Sequence, residues 1–126
     1  MTVYLELRHV LAIHEAIMGD GGGATDPGLL ASACGRPQAT AFGEDAYPTI
    51  WEKAAAFLHS LAKNHGFFEG NKRTAWACTE TFLGINGHPL DPEFDREDAI
   101  ALIIAIVEDR ITDVQQIASE LVKFCG

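Results

Sequence analysis

The spacing of apolar residues is helical along almost the whole chain, and this limits the fold more than any other feature of the sequence. In residues 7–18 apolar side chains recur every three or four positions, as one buried face of an α-helix requires. The same period returns in residues 51–61, 71–86 and 114–122. A shorter helix is expected from Pro27 to about Ala33, because Asp26 can cap it and proline fits a first helical turn. We therefore predict one all-α domain over residues 1–126, a single bundle of about six helices.

Two of the later helices have more specific expectations. Residues 99–107 are apolar on nearly every side, which is typical of a helix at the buried centre of a bundle. Asp95 is expected to cap this helix. The last helix is expected to begin with a capping box formed by Thr112 and Gln115. Residues 51–61, by contrast, show a single apolar stripe.

Three segments interrupt the helical pattern. Residues 19–23 contain four glycines and are expected to form a flexible loop. Residues 35–48 contain scattered glycines and prolines, and residues 39–42 could form a short strand or hairpin arm. We expect an exposed, irregular flap there. Residues 64–70 separate two helices and contain two glycines.

The charge of the chain excludes one broad class of function. The sequence has 18 acidic residues against nine lysines and arginines, for a net charge of −9. General nucleic-acid binding is therefore not expected, because phosphate backbones require clustered cations. Lys63, Lys72 and Arg73 nevertheless form a local basic cluster in the sequence. Charge alone is compatible either with a solvated face or with an anion site.

The cysteines and the apolar segments bear on location. Cys34, Cys78 and Cys125 are odd in number and form no CxxC motif. No segment has the pattern of a signal peptide, and residues 99–107 are far short of the ~18 apolar residues that a membrane span needs. We expect a cytoplasmic protein with reduced thiols and no membrane partner. The cysteines are expected to act as small hydrophobic residues, with a catalytic role as the weaker interpretation.

Residues 65–73, His-Gly-Phe-Phe-Glu-Gly-Asn-Lys-Arg, are unusually dense in reactive groups. Their last residues enter a helix, whose first turn presents unpaired amides and a partial positive charge. Gly70 allows the backbone to approach a ligand closely. Asn71 can cap the helix or contact a phosphate, and Lys72 and Arg73 add cationic donors. The segment therefore predicts a phosphate-binding cradle.

His65 and Glu69 add possible chemistry to this cradle. A histidine can accept a hydroxyl proton near neutral pH. A carboxylate beside a phosphate would repel it unless a cation lay between them, so Glu69 is a candidate Mg²⁺ ligand. Phe67 is expected to anchor the loop in the core. Each element also has an ordinary alternative: a solvated histidine, a Gly-Asn helix cap and a surface Lys-Arg pair.

The nine residues are similar to the signature of the Fic/Doc family, His-x-Phe-x-Asp/Glu-Gly-Asn-Gly/Lys-Arg. The flanking segments at residues 26–30, 36–38 and 47–48 resemble its death-on-curing branch. The resemblance implies an all-α Fic/Doc fold, with His65 as general base for a protein hydroxyl and Glu69 as the Mg²⁺ ligand. It also implies that ATP phosphates are held by the end of the motif, Gly70, Asn71, Lys72 and Arg73.

Position 72 separates two activities within the family. Fic enzymes that transfer AMP have glycine at the position of Lys72. They also usually have a second arginine three residues after the first, and this chain has Trp76 at that place. Both differences favour the death-on-curing branch. Its members act as kinases that transfer the γ-phosphate of ATP to a threonine of elongation factor Tu and stop translation. The alternatives are AMP transfer to a protein hydroxyl and a non-catalytic binding module.

The resemblance also implies partners and a substrate-binding flap. Death-on-curing toxins are neutralised by an antitoxin of the Phd type, whose C-terminal segment folds onto a groove of the toxin. Phe42, Gly43 and Tyr47 would align the target peptide beside the site, although the flap can also be an ordinary surface loop. Two differences from the family pattern stand out. Gly66 replaces the usual proline and is expected to loosen the loop, and Glu69 replaces the more common aspartate.

Overall fold

Six α-helices and one short hairpin make up the residues that the computed structural model describes, 1–19 and 23–126. The helices are α1 Leu7–Met18, α2 Pro27–Gly35, α3 Ile50–Asn64, α4 Asn71–Ile85, α5 Arg96–Val107 and α6 Val114–Val122. A 3₁₀ turn at Arg36–Gln38 leads into the antiparallel pair β1 Thr40–Ala41 and β2 Glu44–Asp45. The predicted all-α fold is confirmed. The predicted flexible loop at residues 19–23 lies largely outside the described residues.

The bundle is built around α3. All residues of α3 from Lys53 to Ala62 are buried except His59, and α3 packs against α2, α4, α5 and α6. The consecutive alanines 54–56 explain this position, because small side chains let neighbouring helices approach from several sides. The prediction of a single apolar stripe on this helix is therefore too narrow.

Helix α5 lies at the edge of the bundle, so the prediction that it forms the buried centre is wrong. One face, including Leu102 and Ile106, is buried. Ile100, however, is 56% exposed. Apolar residues all round a helix predict burial only if neighbours cover every side, and here they do not. None of the described helices is long and apolar enough to cross a membrane.

The helix starts show which capping predictions hold. The Asp95 carboxylate accepts a hydrogen bond from the Glu97 amide at 2.8 Å, as predicted. Helix α6 is capped by Asp113, whose carboxylate accepts from the Gln115 amide at 3.1 Å. The predicted cap at Thr112 is wrong, because the aspartate next to the helix fills that position with an equally good acceptor.

The base of the flap is fastened to α3. Lys53 is only 3% exposed, and its Nζ donates to the carboxylate of Asp45 at 3.0 Å and to the carbonyl of Tyr47. Arg36 Nε donates to the Tyr47 hydroxyl at 3.1 Å. A buried ammonium without such partners would be costly. These bonds therefore hold β2 and the following turn against the body of the protein.

The tip of the flap projects into solvent, as predicted. Phe42 and Gly43 form the two-residue turn between the strands, with positive φ angles of 55° and 81°. Two-residue hairpin turns of this kind follow the natural twist of the strands. The Phe42 side chain is fully exposed. A large apolar side chain is thus presented at the most exposed point of the hairpin.

Candidate active site

A cleft of about 820 Å³ lies between the start of α4 and the exposed side of α5. Its walls contain every motif residue singled out in the sequence for chemistry. These residues are His65, Glu69, Gly70, Asn71, Lys72 and Arg73. The remaining wall is largely apolar and includes Ile17 of α1 and Ile100 of α5.

His65 ends α3 and lies on the wall of this cleft. Its backbone is left-handed, with φ 49° and ψ 49°, a conformation that costs most residues roughly 1–2 kcal/mol. Left-handed residues are common where helices end, and strained ones also cluster at functional sites. The imidazole is exposed and makes no hydrogen bond within the described part of the chain. It is therefore free to exchange a proton with a ligand.

The loop after His65 is fastened to the segment between α1 and α2. The Gly66 carbonyl accepts hydrogen bonds from the amides of Thr25 and Asp26, at 2.9 and 3.1 Å. A Cβ atom on Gly66 would lie 2.5 Å from Cδ2 of Leu30. Gly66 thus lies at a close contact with Leu30 that would have to shift to admit a Cβ atom, and the expectation that glycine loosens the loop stays a prediction.

Phe67 anchors the loop in the core, as predicted, and is 4% exposed. Its ring lies parallel to the imidazole of His14, with ring centroids 3.7 Å apart. His14 Nε2 also donates to the Glu69 carbonyl at 2.9 Å. No sequence pattern indicated this contact between α1 and the loop. Through this hydrogen bond a buried residue of α1 fixes the backbone of the candidate metal ligand.

Gly70 forms the N-cap of α4 in a conformation that suits glycine, with φ 81°. A Cβ atom there would lie 2.7 Å from Sδ and 2.8 Å from Cγ of Met18. No side chain of a described residue caps α4. The first-turn amides of this helix are therefore available to an anion.

Asn71 closes the loop. Its Oδ1 accepts from the Phe67 amide at 3.0 Å, and its Nδ2 donates to the Phe67 carbonyl at 2.9 Å. The N-cap of α4 is Gly70, so of the two roles predicted for Asn71 the helix cap is wrong, and the phosphate contact stays a prediction. One amide hydrogen remains for a phosphate. The main role visible here is to hold the loop in shape.

The isosteric change Asn71→Asp tests this role. The carboxylate keeps the bond from the Phe67 amide but turns an acceptor towards the Phe67 carbonyl. We expect the free energy of unfolding to fall by about 1–3 kcal/mol, the cost of an unsatisfied or opposed polar group. Urea denaturation measures this free energy of unfolding.

Asn86→Asp, in the short link after α4, is not a suitable control, because the Asn86 side-chain amide also donates to two carbonyls. Asn64→Asp, which loses one exposed bond to Leu29, is the milder comparison. Equal stability of Asn71→Asp and the wild type would contradict the role.

The structure separates Lys63 from the other two residues of the basic cluster seen in the sequence. Lys72 and Arg73 are exposed on the cleft wall in the first turn of α4. A cation there costs about 0.3–1 kcal/mol against the helix dipole, which an anionic ligand would offset. Lys63 instead forms an ion pair with Asp109 at 2.6 Å and is absent from the cleft wall.

Glu69 is suited to bind a metal ion that takes its other ligands from a nucleotide. Its carboxylate is exposed and makes no ion pair or side-chain hydrogen bond with the described residues. No cluster of three or more potential metal ligands occurs in residues 1–19 and 23–126. Mg²⁺ commonly takes one or two carboxylates and completes its shell with phosphate oxygens and water. Glu69 alone is compatible with that mode.

The flap residues lie apart from this cleft. Phe42, Gly43 and Tyr47 are not among its wall residues, and the Tyr47 hydroxyl is bonded to Arg36. The substrate-binding role of these three residues stays a prediction.

The cysteines have the character of core residues. Burial raises the pKa of Cys34 to about 11 and that of Cys78 to about 12. Both thiols are therefore protonated at neutral pH and are poor nucleophiles. This agrees with their expected role as small hydrophobic residues.

The wall contributed by α5 was missed in the sequence. Arg96 and Phe94 lie at its start, and Ile100, Ile103 and Ile104 follow along the helix. One signal was present: Arg96 occupies the first position of a helix, where a cation is unfavourable. A residue that opposes its local structure often has a function.

Comparison with known proteins agrees with this fold and identifies the family. Residues 4–83 match the model of the Fic/DOC family, and the chain belongs to that family. It is 48% identical over 126 residues to "Toxin Doc" of Mycolicibacterium smegmatis, covering 100% of this chain and 96% of the relative. It is 30% identical over 128 residues to "Protein kinase doc" of Escherichia phage P1, covering 95% and 98%. The resemblance to the death-on-curing branch is thereby confirmed.

Proposed function

We propose that this chain is the toxin of a toxin–antitoxin system and transfers the γ-phosphate of ATP to a threonine hydroxyl of a translation factor. Elongation factor Tu is the expected target. The observation that supports this most is that one histidine, one carboxylate and two cations of the motif line one cleft, and none of the four side chains is paired with another described residue. The names of the two relatives, a toxin and a protein kinase, support the same reading.

The groups that line the cleft have separate roles in phosphate transfer. His65 accepts the proton of the threonine hydroxyl while the threonine oxygen forms a bond to the γ-phosphorus of ATP. The bond between the γ-phosphorus and the oxygen that bridges it to the β-phosphate breaks, and ADP leaves. Lys72, Arg73 and the first-turn amides of α4 bind phosphate oxygens and stabilise charge in the transition state. Mg²⁺, when bound at Glu69, neutralises phosphate charge. Asn71 and His14 position the loop that holds these groups.

Lys72 favours kinase chemistry over AMP transfer. Glycine at this position would leave the helix start open, whereas Lys72 adds an exposed side chain on the cleft wall. Trp76, at the place of the second arginine, lines the same cleft with an aromatic ring. AMP transfer to a protein hydroxyl remains the second candidate, because it would use the same His65 and Glu69.

The apolar wall of the cleft supports an antitoxin partner of the Phd type. Ile100 is 56% exposed, and the half-buried Ile17 and Ile104 line the same cleft. Covering such residues with the apolar face of a helical segment removes them from water. The proposal therefore places the neutralising segment along α5, next to the phosphate-binding end.

Labelled ATP distinguishes the two activities. The purified chain is incubated with elongation factor Tu and ATP labelled at either the γ- or the α-phosphate. We expect label on the factor from the γ position only, and mass spectrometry should place it on a threonine. Transfer of α-label would overturn the kinase proposal in favour of AMP transfer. Transfer from neither position, with normal growth on expression, would favour a non-catalytic module.

A further inference from the structure

Three of the nine lysines and arginines stand out because they are unpaired in the described part of the chain. Five others form ion pairs with carboxylates: Arg8, Lys53, Lys63, Arg110 and Lys123. Arg36 forms hydrogen bonds to Tyr47, Ala56, His59 and Ser60. The unpaired three are Lys72, Arg73 and Arg96, and all three line the cleft. In a chain of net charge −9, this distribution points to an anionic ligand that contacts both α4 and α5.

Arg96 is unpaired although acidic residues surround it in sequence. Asp95 uses its carboxylate to cap α5 through the Glu97 amide. Glu97 and Asp98 follow directly, yet neither lies within ion-pair distance of the guanidinium among the pairs found in the described residues. Arg96 also opens α5, where the helix dipole disfavours a cation. No ion pair within the described residues accounts for an exposed arginine at this point.

An aromatic contact holds the Arg96 side chain on the cleft wall. Its guanidinium carbon lies 5.4 Å from the centre of the Phe94 ring, a cation–π distance. The Phe94 ring lies 5.8 Å from the ring of Trp76, and Trp76 is one helical turn beyond Arg73 on α4. Phe94 and Trp76 line the same cleft as Arg96 and Arg73. The two guanidinium groups therefore belong to one cleft but come from different helices.

We propose that Arg96 is a third cationic ligand for the triphosphate of the nucleotide, reaching it from α5 while Lys72 and Arg73 reach it from α4. The inference rests on the proposed ATP-dependent function and adds a binding residue outside the nine-residue motif. A planar guanidinium can bind two phosphate oxygens at once. Stacking on Phe94 reduces the side-chain freedom that would be lost when a phosphate binds. The cleft also contains the carboxylates of Glu69 and Glu80, so a third cation leaves its walls with an excess of one positive charge.

The test compares substitutions that remove one positive charge each. Arg96→Gln is expected to weaken ATP binding about tenfold, the effect of losing one charge-assisted hydrogen bond. Inorganic triphosphate should lose affinity by a similar factor, because the contact is to phosphate. Arg110→Gln is the matched control: Arg110 lies beyond the other end of α5, is paired with Glu108 and is absent from the cleft wall. Arg73→Gln is the positive control. Calorimetry gives the affinities and circular dichroism confirms the fold.

The outcomes separate this inference from the proposed function. If the wild type binds ATP and Arg73→Gln weakens it, but Arg96→Gln matches Arg110→Gln, the role of Arg96 is overturned while the proposed function stands. That result would include the case in which Arg96 contacts a protein partner instead. If the wild type binds neither ATP nor triphosphate, the proposed function and this inference both fail. A partial recovery of affinity in Arg96→Lys, which keeps the charge without the planar fork, would support the inference.

Discussion

Replacing His65 is expected to abolish phosphate transfer while leaving ATP affinity and the fold almost unchanged. The side chain is exposed and bonds to no described residue, so its loss removes little stabilising contact. General-base catalysis contributes about 10²–10⁴-fold to rate, and the rate should fall by that factor. Two variants are needed, because the left-handed backbone at this position tolerates residues unequally. His65→Ala removes the ring, and His65→Asn keeps a residue that adopts the left-handed conformation readily.

The readouts for His65 are single-turnover transfer of the γ-label, ATP affinity and growth on expression. His88→Ala is the matched control, since His88 is also exposed and lies outside the cleft. We expect His88→Ala to transfer phosphate at the wild-type rate and both His65 variants to permit growth. If either His65 variant retains more than about a tenth of the wild-type rate, the general-base role is wrong, because that role requires at least ~10²-fold.

Substitution of Gly70 by alanine is expected to have the second large effect, on both stability and activity. The positive φ of 81° costs a residue with a Cβ atom roughly 1–2 kcal/mol. The new Cβ would also lie 2.7 Å from Met18 Sδ, and relieving such overlap typically costs a further ~1–3 kcal/mol. The loop carrying His65 and Glu69 must shift, and a displacement near 1 Å can lower the rate about 10²-fold.

A matched control for Gly70 is available within the same helix. Gly84 has a helical backbone and no atom within 4 Å of an added Cβ, so Gly84→Ala should stabilise the protein by about 0.5–1 kcal/mol. The double variant Met18→Ala, Gly70→Ala separates the two causes, because it removes the overlap and leaves the backbone strain. Thermal unfolding measures the stability of these variants, and γ-label transfer measures their activity. A Gly70→Ala protein as stable and active as the wild type would show that the cradle does not need this conformation.

The sequence predicted those features that depend on local pattern. Amphipathic periods located the helices, and the dense segment at residues 65–73 located the cradle, because that chemistry lies within one loop and one helical turn. The position of α5 was mispredicted since an all-apolar pattern does not show which neighbours cover it. The cap of α6 was misplaced by one residue, because Thr112 and Asp113 are both good caps and only geometry decides between them.

The remaining features depend on contacts distant in sequence. The hydrogen bond between His14 and the Glu69 carbonyl joins residues 55 positions apart, and no local pattern indicates it. Two hydrogen bonds from Asn71 to Phe67 hold the loop in shape, and this role was not predicted. Arg96 joins the cleft only because α5 packs beside α4. Sequence reasoning thus identified the reactive groups and missed much of the structure that positions them.

The anchoring of the motif loop has an evolutionary consequence. Its backbone is held by the Gly23–Asp26 connection, by His14 and by close contacts with Leu30 and Met18. The nine residues are therefore not expected to keep this conformation if they are moved between two other helices. They would lack the contacts with α1 and α2 that fix the backbone of the loop. Substitutions in α1 and α2 at residues that contact this loop should therefore be tolerated only together with compensating changes in the loop.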